Sequence, residues 1–338
     1  MLDIQKHVDM QVRHTLAAPS VARYFARCEN EQSIQAVCAW AKENALPVRV
    51  LGEGSNVLLA EALPVLVLQP ALKAFNVTPM ENETVNIWCG AGENWHALVE
   101  RCVDRGYYGL ENLALIPGSV GAAPIQNIGA YGVEFESVFE CLECFDTHNE
   151  VFCTFDKSSC RFAYRDSVFK SGERHRYIIT RVCLKLSTVF NPVLQYAPLN
   201  TLSDETSLTA RTVFDTVCAT RLGKLPDPKN LPNAGSFFKN PVIPTKQYSE
   251  LKKRYPKLPN YPVEQKDKVK VPAAWLIDHL GWKSKAHRGV CVHDRQALVL
   301  CNPEHRPLSD ILVFSSAIQA DVQQHFGIAL EREPQPLF

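Results

Sequence analysis

An α+β fold divided into more than one domain is what this sequence predicts, and three observations predict it. At 338 residues the chain exceeds the size at which a single hydrophobic core keeps growing. Strand-like and helix-like segments alternate irregularly, with no internal repeat and no low-complexity tract. A stretch crowded with proline and turn residues, RLGKLPDPKNLPNAGSFFKNP (221–241), interrupts the pattern as a domain junction does.

The elements follow in order. After Asn30, a residue suited to an N-cap, Ile34, Val37, Cys38 and Ala41 recur at helical spacing, and PVRVLG (47–52) reads as a strand. VLVLQ (65–69) and VNIWCG (85–90) are short strands. Trp95, Leu98, Val99 and Cys102 then mark a helix closed by Gly106. Between about 110 and 135 lies LENLALIPGSVGAAPIQNIGAYGVE, a long glycine-punctuated loop of the kind that usually carries function. IITRVCLKL (178–186) is strand-like, and a helix is expected over about 208–220. Beyond the junction, AAWLIDHLGW is helical, GVCVH and ALVLC are short strands, LSDILVFSSAIQADVQQHFG is a long helix ended by Gly327, and IALERE (328–333) is expected as the last strand.

Composition excludes several classes. With 36 basic and 36 acidic side chains and no run of like charge, nothing marks a nucleic-acid partner. Apolar runs are far shorter than the roughly 20 residues of a membrane span, and the N-terminus, MLDIQKHVDMQVRH, has no apolar signal region. A cytoplasmic protein is expected. The twelve cysteines are scattered through apolar periodic segments rather than spaced as a framework, which suits buried free thiols in a reducing compartment. CLEC (141–144) is a C-x-x-C without a second pair at zinc spacing, so no metal site is expected and two thiols near a sheet edge are the simpler account.

Four segments could carry the chemistry. In VLGEGSNVLL (50–59), Gly52, Gly54, Ser55 and Asn56 form either an anion nest for a phosphate or an ordinary glycine turn; the segment does not match the G-x-G-x-x-G fingerprint. IPGSVGAAPIQNIGAYG (116–132) combines Gly118, Gly121, Gly129 and Gly132 with small Ser119, Ala122, Ala123 and Ala130, so its backbone can wrap a flat or anionic ligand. Gln126, Asn127 and Tyr131 offer polar anchors, and a packed Ω-loop is the alternative. CRFAYRDSVFK (160–170) holds Arg161, Tyr164, Arg165, Asp166 and Lys170 among aromatics, where a guanidinium can stabilise a carboxylate or enolate, or simply pair with the aspartate on a solvated face. A fourth segment, PNAGSFFKNP (232–241), isolates Ser236 after Gly235; it is not the G-x-S-x-G of a serine hydrolase, because Phe238 takes the last glycine's place.

Taken together and in order, LGEGSNVLL, IPGSVGAAPIQNIGAYG, CRFAYRDSVFK, KLPDPK and NAGSFFKNP closely resemble the UDP-N-acetylenolpyruvoylglucosamine reductases, the MurB family, from about residue 10 to about 333. NPVLQYAPL (191–199) and the intact stretch up to PNYP resemble the longer type I form, with a tyrosine loop that covers substrate. The resemblance implies an FAD-binding fold of the vanillyl-alcohol-oxidase (PCMH) type with two subdomains and a C-terminal α+β substrate domain. Its boundaries would be 1–72 joined by 328–338, then 73–222, then 223–327. It implies FAD and NADPH as cofactors, UDP-N-acetylglucosamine enolpyruvate as substrate, a monomeric state, and UDP-N-acetylmuramate for peptidoglycan as product.

Residue by residue, the resemblance gives Arg165 and Glu333 as stabilisers of an enolate and Ser236 as the acid that protonates C2. Flavin contacts fall on Gly52, Glu53, Gly54, Ser55, Asn56, Pro117, Gly118, Ser119, Gly121, Ala122, Gln126, Asn127, Gly129, Ala130 and Tyr131. Sugar-nucleotide contacts fall on Tyr164, Tyr196, Lys224, Asn240, Tyr261, Lys283 and Gln296. Two departures stand out: His14-Thr15-Leu16 replaces the family's Asn-Thr-Phe, and LEREPQPLF replaces Leu-Glu-Pro-Glu-Val, so that Glu331 competes with Glu333 for the carboxylate's role.

Overall fold

The computed structural model describes residues 2–205, 207–263 and 265–337. The chain divides into two compact units: Met1–Val8, Ala22–Gly54 and Pro64–Gly223 make one, and Asp9–Val21, Ser55–Leu63 and Lys224–Phe338 the other.

In the first unit a four-stranded sheet has the strand order Ile4–Asp9, Val21–Cys28, Ala62–Pro70, Val48–Val50. The first strand has little signal in the sequence, because IQKHVD is exposed on most of its positions and offers no clean alternation. The helix Glu31–Glu43 buries Ile34, Val37 and Ala41 against Leu66 and Leu68 of this sheet. Asn30 caps it: its Oδ1 accepts from Ser33 N at 2.8 Å, while the Ser33 hydroxyl reaches back to the cap backbone, a device worth about 1 kcal/mol.

A five-stranded sheet follows, in the order Val151–Asp156, Phe139–Asp146, Tyr177–Ser187, Thr84–Gly90, Phe75–Pro79. All four of its pairings are antiparallel. The helix Trp95–Asp104, capped by Asn94, covers it with Trp95, Leu98, Val99 and Cys102, and Gly106 turns away at φ +74°. Trp95 is 1% exposed, and its indole N–H is satisfied by Leu113 O at 3.0 Å. The expected long loop is a chain of short turns with a two-stranded ribbon, Gly129–Ala130 with Val133–Glu134. The helix predicted near 208–220 spans Ala210–Lys224.

The second unit is built on a four-stranded sheet in the order Asn233–Ser236, Val299–Cys301, Val290–Val292, Ala286–His287. The helices Thr245–Arg254, Ala273–His279 and Leu308–Phe326 pack with it around Phe237, Phe238, Leu276, Ile311 and Phe314. Gly327 ends the long helix at φ +64°. The expected strand 328–333 is not regular. Only Arg332 makes a bridge, with Phe238, and a short strand Gln335–Pro336 runs parallel to Val57–Leu58.

Candidate active site

Close approach of two backbone segments shapes the first unit's cradle. Gly52 faces the 117–132 loop so tightly that a Cβ there would lie 2.7 Å from Ser119 Oγ; Gly121 is pressed on Ala91, where a Cβ would meet that residue's Cβ at 2.6 Å. At Gly121 the clash would be with Ala91's Cβ and backbone, which only glycine avoids, whereas at Gly52 it would be with one serine hydroxyl. Gly54 and Gly118 adopt φ +68° and +128°, and Asn127 and Tyr131 take left-handed φ of 45° and 47°, so the backbone itself is bent to present its polar groups. Gln69 donates to Gly52 O at 3.0 Å, and Glu53 accepts from Asn94 Nδ2 at 2.9 Å, fixing the start of the loop. Ser119 is buried; Pro117 is exposed; Gln126, Ala122, Gly129 and Ala130 are half-buried. Close-packed glycines and bent backbone of this kind suit a flat group with a diphosphate.

Asn127 belongs to the frame of that cradle. It is fully buried, its amide donates to Glu134 Oε2 at 2.9 Å and Ala163 O at 3.3 Å, and its Oδ1 accepts from Glu136 N at 3.0 Å. Its polar atoms are engaged by protein, so it holds the loop's shape.

Arg165 sits at the tip of a tight turn closed by paired hydrogen bonds between Ala163 and Asp166, at φ +54°. Its Nη2 donates to Gly129 O at 2.7 Å, and its own carbonyl accepts from Lys170 Nζ, a buried lysine, at 3.0 Å. Tyr164 lies beneath the guanidinium, 5.4 Å from ring centre. Asp166 bonds Ser167 N and Ser171 Oγ instead of completing an Arg–Asp surface pair in the turn. Tyr196, 39% exposed, folds its ring onto Gly132, where a Cβ would stand 2.7 Å from Tyr196 Cδ2.

Arg221 was not foreseen. It projects from the helix Ala210–Lys224, donates from Nε to Leu115 O at 3.3 Å, and lies near Tyr131 and Arg165. Burial lowers its pKa most, Tyr131 opposes that, and Arg165 adds to it. The sequence signal was slight: one arginine three residues before Lys224, in no motif.

In the second unit, Asn233 organises the serine turn. Its Oδ1 accepts from Gly235 N at 2.9 Å and its Nδ2 donates to Leu231 O at 2.8 Å. Gly235 takes φ +66°, and Ser236 is exposed at the strand's end while Phe237 and Phe238, 0% and 1% exposed, anchor the turn in the core. The C-terminal segment runs antiparallel beside it: Glu333 N donates to Phe237 O at 3.0 Å, and Lys239 N to Glu331 O at 2.9 Å. Arg332 turns to the long helix, bonding Ser315 Oγ at 2.9 Å and Ser316 Oγ at 2.6 Å. Glu331 is 67% exposed in its side chain and pairs with Lys239 Nζ at 2.5 Å, whereas Glu333 is half-buried next to the serine turn.

The remaining sugar-nucleotide candidates are dispersed. Lys224 and Tyr261 are exposed, and Gln296 is half-buried. Asn240 Oδ1 accepts from Ala273 N at 2.9 Å, and Lys283 pairs with Asp278 at 2.9 Å. Near the altered N-terminal motif, Thr15 Oγ1 donates to Ser55 O at 3.4 Å, and buried His14 bonds Ala18 O at 3.0 Å. Cys141 and Cys144 do not face each other: Cys141 lies opposite Cys183 and Cys144 opposite Cys153, with 3.5 Å between the latter sulfurs.

Known proteins resemble this chain over both units. A family model for the C-terminal domain of UDP-N-acetylenolpyruvoylglucosamine reductase matches residues 227–337, and one for an FAD binding domain matches residues 22–149. The UDP-N-acetylenolpyruvoylglucosamine reductase of Burkholderia lata is 43% identical over 96% of this chain and 94% of its own length. That of Pseudomonas aeruginosa is 41% identical over 98% of each. The crystal structure of the MurB enzyme from Thermus caldophilus shares the fold, with TM-score 0.69 at 23% identity and both chains covered in full. The glycine cradle suits the FAD-binding fold these relatives share, and the protein belongs to the UDP-N-acetylenolpyruvoylglucosamine reductase (MurB) family of FAD-dependent oxidoreductases.

Proposed function

We propose that this protein reduces UDP-N-acetylglucosamine enolpyruvate to UDP-N-acetylmuramate with NADPH as reductant, as one chain acting in the cytoplasm. Among the described residues no helix is long and apolar enough to cross a membrane, in keeping with that setting. The 52–56 and 117–131 segments would hold FAD, which, when bound and reduced by NADPH, would supply a hydride for C3 of the enolpyruvyl group.

The chain's own residues do the rest. Hydride addition at C3 drives charge into the substrate carboxylate, and Arg165 and Glu333 stabilise that enol or enolate. Ser236 gives its hydroxyl proton to C2 and regains one from solvent. Tyr164, Tyr196, Lys224, Asn240, Tyr261, Lys283 and Gln296 hold the sugar nucleotide, the lysines at its phosphates. In this reading residues 1–72 with 328–338, and 73–222, carry the flavin, and 223–327 the sugar nucleotide.

The observation that carries the reading is the serine turn: an exposed hydroxyl on a glycine bend, clamped by two buried phenylalanines, with Glu333 hydrogen-bonded through its backbone to the next residue. Purified protein should be yellow, NADPH should bleach the flavin band, and the enolpyruvyl sugar should restore it. A colourless protein that cannot be reconstituted with FAD would sink the proposal.

A further inference from the structure

We propose that Cys291 and Cys301 form a peroxide-reactive modification site, closing to a cross-strand disulfide that stiffens the strand paired with the Ser236 turn. The strands Val290–Val292 and Val299–Cys301 are antiparallel neighbours, with Cys291 directly opposite Cys301 and Val292 opposite Leu300. Val290, Val292 and Leu300 belong to the apolar core of the second unit, so the two cysteines share the sheet's other face. Directly opposed Cα atoms in such a pair stand about 4.5–5.5 Å apart, within the span a disulfide bridges, and closure needs no slip of register.

The two thiols are unequal. Cys301 is 0% exposed, whereas Cys291 is half-buried and reachable. Its cross-strand neighbour Cys301 favours the Cys291 thiolate, lowering its pKa to about 7 against the opposing effect of burial, and the same pairing pushes Cys301 up. Burial raises the competing cross-strand thiols Cys141, Cys144 and Cys183 instead. Thiolate character therefore selects Cys291 as the attacking sulfur.

The chemistry balances with hydrogen peroxide as oxidant. The Cys291 thiolate attacks one peroxide oxygen, the O–O bond breaks, and the departing hydroxide takes a proton to become water. Cys301 then loses its proton and displaces hydroxide from the sulfenic sulfur, forming the S–S bond and a second water. Two thiols lose two electrons, peroxide gains them, and a dithiol reverses the step.

The consequence for catalysis rests on the function proposed above. Cys301 lies opposite Asn233 on its other side, and Val299 opposite Ser236, with a bulge between. Asn233 is the residue whose side chain sets Gly235 and hence the serine turn. A link at Cys301 constrains the row Asn233–Cys301–Cys291 and displaces the hydroxyl from its proton-transfer position.

The test uses FAD-loaded, full-length protein treated with hydrogen peroxide, then alkylated and digested without reductant. The Cys291–Cys301 peptide should appear before any Cys144–Cys153 or Cys141–Cys183 link, faster as pH rises through 7. Flavin reoxidation by the enolpyruvyl sugar should slow about a hundredfold, as a ~1 Å misplacement does, and dithiothreitol should restore it. Cys291→Ser and Cys301→Ala should turn over normally and resist peroxide. Earlier linkage elsewhere, or inactivation of Cys291→Ser by peroxide, overturns the site. A formed link with unchanged reoxidation overturns its hold on Ser236. Absence of turnover before oxidation refutes the proposed function instead, and the peptide map still decides the site.

Discussion

A serine hydroxyl is a weak acid, and nothing in the described surroundings of Ser236 makes it a nucleophile: its neighbours are a glycine bend and two buried rings. Its use as a proton donor is testable because only one half-reaction needs that proton. Ser236→Ala should leave flavin reduction by NADPH unchanged while slowing reoxidation by the enolpyruvyl sugar about 10²–10⁴-fold, measured by stopped-flow absorbance. Equal loss in both half-reactions would assign the serine a structural role. The carboxylate at the C-terminus divides on the same assay. Glu331 is paired with Lys239 at the surface, and Glu333 is half-buried with its backbone on Phe237. Glu333→Gln should therefore slow reoxidation at least about tenfold, whereas Glu331→Gln, losing an exposed pair worth about 0–1 kcal/mol, should not. The reverse order would move the role to Glu331.

At the scale of elements, the cradle around Gly52 makes its own demand. A Cβ at Gly52 would collide with Ser119 Oγ, and the next atoms are 3.7 Å away or more, so the conflict is with one hydroxyl. Gly52→Ala should cost about 1–3 kcal/mol by overpacking and lower the fraction of protein that retains FAD through gel filtration. Adding Ser119→Ala should recover most of both losses; if the double variant is as poor as the single, the glycine serves something other than this contact. Such contacts explain what was legible beforehand. The helices at 31–43, 95–104 and 308–326 were readable because capping and apolar spacing are local properties, and so were the glycine segments. Arg221 was not, because its partners Leu115, Tyr131 and Arg165 come from distant segments. The final segment differs from expectation: alternation in IALERE suggests a ladder, but only Arg332 joins one, bridging to Phe238. The opposed cysteine pairs were invisible for the same reason as Arg221: register is a product of the fold.

For the whole molecule, the histidines set the acid limit of stability. His14, His96, His175 and His293 are all lowered from their ordinary value, with burial the largest cause in each. His175 goes furthest, to about 4, because Arg49 and Arg174 add repulsion to its desolvation; the three line a cavity with Arg176, Lys42 and His148. A histidine lowered by folding is neutral in both states above its unfolded pKa of about 6.5, and costs nothing there. As pH falls below that, the unfolded chain takes up protons that the folded chain refuses, so stability declines between about 6.5 and the folded values. Asp146 behaves differently: its bond to Arg176 at 2.7 Å holds the carboxyl well below the usual range, and its contribution is lost only as pH falls through the carboxylate region. The melting temperature should therefore drop as pH falls from 6.5 to 5, ahead of carboxylate protonation and separate from the change that the lowered Cys291 thiol brings between about pH 9 and 7. His175→Gln should lessen that drop without changing the melting temperature at pH 8 by more than the loss of ordinary packing. A wild-type profile flat down to pH 5 would show that these rings accept protons in the folded state, and would remove the histidines as the source of acid sensitivity.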